Sequence, residues 1–227
     1  MMCARANDAV DPAPAGTLPS ETAIPRRPIY HTSKRLLDMT AAGLGLVLLS
    51  PLMLALALAI RLDSRGPVLF VQRRMGRNFV PFGVYKFRTM VTDAERRGSQ
   101  ITAGDDARIT RVGRLLRASK LDELPQLFNV LRGEMSVVGP RPEVPKYVEM
   151  FRQDYALVLS VRPGLTDPAS IKYRDEASVL GASPDPEREY VERILPDKIA
   201  LARAYVAQAS LLGDLGLVLK TLVRIAR

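Results

Sequence analysis

Cysteine and histidine are almost missing from this chain of 227 residues. Cys3 and His31 are the only residues of their types, and both lie near the N-terminus. One thiol and one imidazole exclude an internal disulfide, a Cys/His zinc site, and the Cys–His and Ser–His–Asp catalytic arrangements within one chain. Any metal would therefore be a hard ion bound by oxygen, such as Mg²⁺. Any catalysis would depend on carboxylates, basic side chains and hydroxyls.

The common nucleotide-binding motifs are missing as well. The chain has no Gly-rich loop of the P-loop or Rossmann type and no internal repeat. It also lacks Asp-x-Asp, the usual metal motif of soluble nucleotide-sugar glycosyltransferases. Aromatic residues make up only 6% of the chain, so its net charge of +9 comes without a nucleic-acid-binding pattern. We expect no nucleic-acid partner.

Proline is concentrated at the N-terminus. Five of the 17 prolines lie within the first 28 residues among small and polar residues, which is typical of a disordered leader. The leader has no apolar core of the kind that a signal peptide needs. We predict a leader at residues 1–29, a membrane helix at 30–62 with Thr32 or Ser33 as its N-cap, and a catalytic domain at 63–227.

The one long apolar segment covers residues 39–60 and contains no charged side chain. As a helix it would be roughly 33 Å long, enough to span a bilayer core of about 30 Å. Pro51 at its midpoint removes an amide donor, so the carbonyl of Val47 needs another donor such as the Ser50 hydroxyl. Both flanks are basic, whereas a spanning helix usually shows asymmetric charge. These features favour a re-entrant helix broken at Ser50-Pro51; a spanning helix kinked by proline is the alternative.

Short strands and helices are predicted after this segment. Alternating residues at 68–71 and 84–88 flank a turn and predict a β-hairpin. Residues 91–108 predict a short helix and an exposed loop, and residues 110–117 predict a helix. The segment 214–227 predicts an amphipathic helix, lying at the membrane interface or on an ordinary protein surface. The predicted fold class is α+β and mostly helical.

An acidic pair, Asp122-Glu123, precedes an apolar helical pattern. The apolar residues of this pattern have the helical spacing i, i+3, i+4, i+7 and are Leu124, Leu127, Phe128 and Leu131. Pro125 is compatible only with the first turn and Gly133 with the end, which places the pair at the helix N-terminus. Two interpretations are open: simple first-turn acidity, or a carboxylate nucleophile beside a second carboxylate that binds metal or handles protons.

Arg141 stands between Pro140 and Pro142, which fix the local backbone. Such a residue is a rigid anion clamp or an exposed arginine in a turn. The segment Arg162-Pro163-Gly164 presents an arginine in a similar way.

Together these motifs resemble the bacterial sugar transferase family, monotopic phosphoglycosyl transferases that start glycan assembly on polyprenol phosphate. The resemblance covers about residues 34–222 and rests on seven motifs that are weak singly and specific in this order. They are Lys34-Arg35-x-x-Asp38, Ser50-Pro51, Gly66-Pro67-Val68, Tyr85-Lys86-Phe87-Arg88-Thr89-Met90, Leu121-Asp122-Glu123-Leu124-Pro125-Gln126-Leu127, Gly139-Pro140-Arg141-Pro142 and Arg162-Pro163-Gly164.

The resemblance implies transfer of a sugar-1-phosphate from a UDP-sugar to polyprenyl (undecaprenyl) phosphate, with release of UMP and a covalent aspartyl intermediate. It implies that Asp122 is the nucleophile and that Asp122 and Glu123 bind Mg²⁺. The phosphate charges must be neutralised, and the candidates for this are Lys86, Arg88, Arg141 and Arg162.

The resemblance further implies that the protein lies at the cytoplasmic face of the bacterial inner membrane. It also implies that the protein catalyses the first membrane step of exopolysaccharide, capsule, O-antigen or glycoprotein glycan synthesis. The expected partners are the two substrates and the lipid bilayer, and a homo-oligomer is compatible with them. An inactive membrane-tethered scaffold of the same fold is the alternative, although the intact Asp122-Glu123 pair argues against it.

One segment departs from the family pattern. Family members often continue the Arg-Pro-Gly-Leu-Thr sequence with Gly, an apolar residue and Gln-Val, whereas this chain continues with Asp167-Pro168-Ala169. We expect an unchanged reaction class and a sugar pocket altered by this segment.

Overall fold

The computed structural model describes residues 28–94 and 106–226, and its longest element is the N-terminal helix. α1 covers Pro28–Asp63, so it begins before the predicted caps Thr32 and Ser33, which lie inside it. The predicted leader falls almost entirely outside the described residues. By length and composition α1 is able to cross a membrane. Many of its apolar side chains are exposed, among them Leu44, Val47, Leu48, Leu54 and Leu58.

α1 continues through Ser50-Pro51, where the sequence predicted a break. Pro51 lies inside the helix, and the Ser50 hydroxyl donates a hydrogen bond of 2.8 Å to the Val47 carbonyl. That carbonyl is the one whose amide partner the proline removes. The predicted replacement donor is therefore confirmed, and the predicted interruption of the helix is wrong, because the local hydrogen bond compensates for the lost one.

The Lys34-Arg35-x-x-Asp38 motif attaches α1 to the rest of the protein. Lys34 Nζ lies 2.8 Å from Asp214 Oδ2, and Arg35 donates to the carbonyls of Val130 and Leu131 at 2.7 and 3.0 Å. The buried Asp38 accepts hydrogen bonds from the Ser136 hydroxyl and the Val137 amide at 2.7 and 3.0 Å. One turn of helix thus contacts three separate parts of the chain.

The predicted β-hairpin is confirmed. β1 (Leu69–Met75) and β2 (Pro81–Phe87) are antiparallel, with Leu69 opposite Phe87 and Met75 opposite Pro81. A second, parallel pair was not predicted from the sequence: β3 (Ser136–Val138) lies beside β4 (Gly164–Thr166).

Short helices form most of the remaining structure. They are α2 (Arg111–Ser119), α3 (Gln126–Arg132), α4 (Pro145–Met150), α5 (Arg152–Val158), α6 (Pro168–Lys172), α7 (Glu176–Gly181), α8 (Pro186–Glu189), α9 (Leu195–Gln208) and α10 (Leu211–Ala226). A π-helical turn at Tyr190–Ile194 joins α8 to α9. α2 and α10 confirm the predicted helices at 110–117 and 214–227. Most of the segment predicted at 91–108 lies outside the described residues.

Three apolar clusters hold these elements together. The largest lies among α4, α5 and α9 and includes Val148, Val158 and Leu195. A second joins α1 to α3 through Ala42 and Val130. A third joins α1 to β2 and α2 through the fully buried Ile60, Phe87 and Leu116. These last two clusters fix the segment between α2 and α3, which carries the acidic pair.

Candidate active site

The acidic pair lies on a single 3₁₀ turn, Leu121–Glu123, between α2 and α3. Lys120 before it adopts a left-handed conformation with φ 58°, and α3 begins only at Gln126, directly after Pro125. The predicted position in the first turn of a helix is thus corrected: α2 ends at Ser119 and the chain reverses at Lys120 before α3 starts.

Asn129 fixes the hairpin against α3. Its side chain is fully buried; Oδ1 accepts from the Tyr85 amide at 3.0 Å, and Nδ2 donates to the Gly83 carbonyl at 2.7 Å. Leaving these buried polar groups without partners would destabilise the fold. The hydrogen bonds of Asn129 therefore fix the position of β2 relative to α3. That position places Lys86, the residue after Tyr85, beside the acidic pair.

Glu123 is held by two cations. Arg141 Nη1 donates to Glu123 Oε2 at 3.2 Å and Arg141 Nη2 donates to Oε1, which makes a bidentate pair. Lys86 Nζ lies 4.0 Å from Glu123 Oε1. Burial alone would raise the pKa of Glu123, but Arg141 and Lys86 outweigh it and lower the pKa to about 2. Burial lowers the pKa of Lys86 to about 8 even though Glu123 opposes that change.

Asp122 has a different environment although it is the adjacent residue. Its side chain is buried, with 8% of the residue exposed, and its Oδ1 has no hydrogen-bond partner among the described residues. Burial raises the pKa of Asp122, and the charge of Glu123 raises it further; Lys86, Arg117 and Lys120 oppose this rise. Neighbouring carboxylates with opposite pKa shifts are typical of sites where two acids have different roles. The buried Oδ1 of Asp122 therefore keeps an unused capacity to accept a hydrogen bond among the described residues.

The position of Arg141 depends on Asp167. The Arg141 amide donates to Asp167 Oδ2 at 3.1 Å, and Asp167 Oδ1 accepts from the Ser170 amide at 2.7 Å as the N-cap of α6. Asp167 opens the segment that departs from the family pattern. Its support of Arg141 was missed in the sequence, where an Asp before Pro168 indicates only a helix cap.

The motifs Gly139-Pro140-Arg141-Pro142 and Arg162-Pro163-Gly164 contact each other beside the β3–β4 pair. The Gly139 amide donates to the Thr166 carbonyl at 3.0 Å, and the Gly164 amide donates to the Pro140 carbonyl at 2.9 Å. A Cβ at Gly164 would lie 2.1 Å from the Gly139 nitrogen, so only glycine allows this approach. The Arg162-Pro163-Gly164 motif therefore supports the backbone that carries Arg141.

Two of the predicted phosphate-binding arginines contact backbone carbonyls instead. Arg88 Nη2 donates to the Ser64 carbonyl at 2.7 Å and Arg88 Nη1 to the Arg65 carbonyl at 3.1 Å, at the end of α1. Arg162 Nε donates to the Gly133 carbonyl at 2.8 Å, at the end of α3. Of the four candidates, the structure brings only Lys86 and Arg141 to the acidic pair, and we assign Arg88 and Arg162 to support of the fold.

A cavity of about 570 Å³ adjoins Glu123 and Arg141, which is a size typical of small-molecule sites. The departing segment forms part of its wall, as expected, through Asp167, Ala169, Ser170, Tyr173 and Arg174. The rest of the wall includes apolar side chains and further charged residues. Arg74 and Lys198 are paired there with Glu143 and Glu176, whereas Lys120 and Arg224 add positive charge. A large anionic molecule with apolar parts is the ligand that this lining favours.

Comparison with known proteins identifies the family of the chain. The bacterial sugar transferase family model matches residues 29–227. The chain belongs to the bacterial sugar transferase family.

Named members of this family share much of the chain. It is 45% identical over 147 residues to a UDP-N-acetylgalactosamine-undecaprenyl-phosphate N-acetylgalactosaminephosphotransferase of Aeromonas hydrophila, covering 63% of this chain and 35% of that protein. It is 42% identical to a UDP-glucose:undecaprenyl-phosphate glucose-1-phosphate transferase of Caulobacter vibrioides, over 92% of this chain and 72% of the relative. An exopolysaccharide production protein of Sinorhizobium fredii is 36% identical over 90% of both chains. The chain thus spans about a third of the length of the first of these sugar transferases.

The ion pair of Glu123 predicts a pH-dependent contribution to stability. Glu123→Gln should lower the free energy of unfolding at pH 6 by about 1 to 2 kcal/mol, a modest value because water partly screens Arg141. The folded-state pKa of Glu123, about 2, lies below its ordinary value of 4.5. The stabilisation is therefore present above about pH 4.5 and is lost as the pH falls towards 2.

Thermal unfolding of both proteins between pH 6 and pH 3 measures this difference. The difference in unfolding free energy between wild type and Glu123→Gln should become smaller as the pH falls. Glu149→Gln, which removes an exposed glutamate paired with Arg152 on the surface, serves as the control and should have little effect. A difference that stays constant with pH would contradict the assignment.

Proposed function

We propose that the protein is a phosphoglycosyl transferase that moves a sugar-1-phosphate from a UDP-sugar to polyprenyl phosphate and releases UMP. The observation that carries this proposal is the unequal acidic pair. Asp122 keeps a buried oxygen that has no donor in the part of the chain that the structure describes, while Glu123 is neutralised by Arg141 and Lys86. The names of the family members, which transfer sugar phosphates to undecaprenyl phosphate, support the same reaction. The name of the relative from Sinorhizobium fredii, an exopolysaccharide production protein, supports exopolysaccharide synthesis as one candidate pathway.

The first half-reaction would form a covalent intermediate on Asp122. A carboxylate oxygen of Asp122 forms a bond to the sugar-proximal phosphorus, the bond from that phosphorus to the bridging oxygen breaks, and UMP leaves with the electron pair. The repulsion between a carboxylate and a pyrophosphate opposes this step. Arg141 and Lys86 reduce it, since both lie beside the acidic pair and Arg141 offers a bidentate fork for phosphate oxygens.

The second half-reaction would release Asp122. A phosphate oxygen of the polyprenyl phosphate bonds to the same phosphorus, and the bond from phosphorus to Asp122 breaks. Both carboxylate oxygens of Glu123 accept from Arg141, and this pairing lowers the pKa of Glu123, so Glu123 is a poor acceptor for a further proton. A phosphate monoester, with a second pKa of about 6, already carries the needed charge. We assign Glu123 to holding Arg141 and Lys86 in place.

Mg²⁺ fits the acidic pair as a cofactor. The buried Asp122 Oδ1 lacks a hydrogen-bond donor among the described residues, and carboxylate oxygens suit this ion. No group of three His, Cys, Asp or Glu residues that could hold a metal occurs in the described ranges, so substrate phosphates and water would complete the coordination of an ion at Asp122 and Glu123. When bound, Mg²⁺ would neutralise part of the phosphate charge.

The proposed reaction requires a site at a membrane surface, because one substrate is soluble and the other lies in lipid. We propose that α1 enters the membrane, bends at Pro51 without a break in the helix, and returns to the cytoplasmic face. Residues 1–29 would be a leader, 30–62 the re-entrant segment and 63–227 the catalytic domain. Basic residues on both flanks support one face for both ends, and the proline at the midpoint supports a bend there. UDP-sugars are made in the cytoplasm, which sets the face.

The covalent intermediate is tested directly by trapping. Incubation with a UDP-sugar and no acceptor should release UMP and leave a phospho-sugar on Asp122. Hydroxylamine should convert this acyl phosphate into a hydroxamate, located by mass spectrometry on the tryptic peptide 121–132. Asp122→Asn should lose turnover while keeping its melting temperature, and Asp154→Asn, which removes an acid at the surface, should remain active. Normal turnover by Asp122→Asn would contradict the proposal; no UMP release by the wild type would favour the inactive scaffold.

Removal of divalent cations should stop UMP release, and Mg²⁺ should restore it. Arg141→Lys should lose about tenfold or more in activity with Mg²⁺ present, because an ammonium group cannot form the bidentate contact. Full activity in excess chelator would contradict the role of the metal. UMP release is the measurement in each case.

The topology is tested by labelling Cys3, the only cysteine of the chain. In intact cells a membrane-impermeant maleimide should fail to label Cys3 and should label it after permeabilisation. Replacing Ser50 and Pro51 with Leu and Ala should favour a spanning helix and expose Cys3. The control variant Leu48→Ile/Leu49→Ile keeps the proline and should behave like the wild type. Labelling of wild-type Cys3 in intact cells would show that α1 spans the membrane.

A further inference from the structure

The cavity extends from Glu123 and Arg141 to the exposed apolar face of α10. Four residues of α10 line it, namely Val218, Thr221, Leu222 and Arg224. Leu222 is also 59% exposed, and it belongs to an exposed apolar stripe with Leu215, Leu219 and Val223. A residue that lines the cavity and also lies on this stripe marks an opening between the two.

The other side of the opening includes a residue that contacts α1. Leu124 and Leu127 line the cavity from the segment that carries the acidic pair. Leu127 also contacts α1, where a Cβ at Gly45 would lie 3.3 Å from Leu127 Cδ1. α1 itself contributes no residue to the cavity wall and reaches it only through Leu127. The buried Asp214 of α10 accepts from Lys34 of α1 at 2.8 Å, so the exposed apolar surfaces of the two helices stay close to each other.

Positive charge follows the path from this opening to the site. Arg224 lines the cavity on α10 and makes no ion pair within the described part of the chain, whereas Lys120 and Arg141 lie beside the acidic pair. An apolar opening with a basic residue that has no carboxylate partner suits a phosphate monoester on an apolar chain, because the chain can stay in lipid while the phosphate moves inward.

We propose that polyprenyl phosphate enters between α3 and α10, with Leu222 against its chain and Arg224 binding its phosphate. This inference rests on the proposed function and deepens it, since it separates the acceptor entrance from the donor site. Arg224 acts on the acceptor alone and has no part in the attack by Asp122.

Two matched pairs of variants test the entrance. Arg224→Gln is compared with Lys220→Gln, a basic residue one turn earlier on α10 that does not line the cavity. Leu222→Asn is compared with Leu219→Asn, whose parent residue is 56% exposed and also outside the lining. Arg224→Gln should raise the KM for undecaprenyl phosphate about tenfold, the effect of losing one charge-assisted contact. Leu222→Asn should raise it severalfold, and the two controls should match the wild type.

Two further measurements separate binding of the acceptor from the donor half-reaction and from binding to a membrane. The burst of UMP released from a UDP-sugar without acceptor should be unchanged in all four variants. The KM effect of Arg224→Gln should persist with farnesyl phosphate in detergent, where no bilayer is present. Four results would each contradict the proposed entrance. They are an unchanged KM in Arg224→Gln, an equal KM effect in Lys220→Gln, loss of the UMP burst in a variant, and a KM effect seen only with phosphatidylglycerol vesicles. Absence of any UMP burst in the wild type would instead overturn the proposed function.

Discussion

The bidentate ion pair between Arg141 and Glu123 is the interaction on which the proposed chemistry depends. Two adjacent buried carboxylates repel each other and would normally share a proton. Arg141 and Lys86 remove this conflict by stabilising the charge of Glu123, and Asp122 keeps an oxygen that accepts from no donor within residues 28–94 and 106–226. Much of the surrounding structure serves this pair: the Gly139–Gly164 approach and Asp167 position Arg141, and Asn129 positions Lys86.

The second constraint is that a soluble donor and a lipid-linked acceptor must meet at one place. Asp214 of α10 accepts hydrogen bonds from Tyr30 and Lys34 of α1 and from Tyr205 of α9. This buried contact fixes the relative positions of the two helices with exposed apolar faces, and one of them, α10, lines the cavity that Glu123 also lines. The same contacts that stabilise the fold thus bring an apolar surface to the site.

The sequence predicted those parts of the molecule whose signal is local. The hairpin, α2 and α10 follow from periodicity, and the acidic pair with Lys86 and Arg141 follows from the family motifs. The contacts of Arg88 and Arg162 with backbone carbonyls could not be predicted, because these partners, near residues 64 and 133, lie far away in the chain and leave no pattern. The break at Ser50-Pro51 was predicted wrongly for the opposite reason: a hydrogen bond within one helical turn compensates for the proline.

Isotope exchange between UMP and UDP-sugar in the absence of acceptor tests the central claim most directly, because it requires a reversible first half-reaction on the enzyme. The account predicts that radiolabelled UMP enters the UDP-sugar pool with the wild-type protein and that Asp122→Asn shows no exchange. Glu123→Gln should exchange more slowly, since Arg141 and Lys86 lose their anchor. Turnover of both substrates without any exchange, or exchange by Asp122→Asn at the wild-type rate, would contradict a covalent intermediate on Asp122.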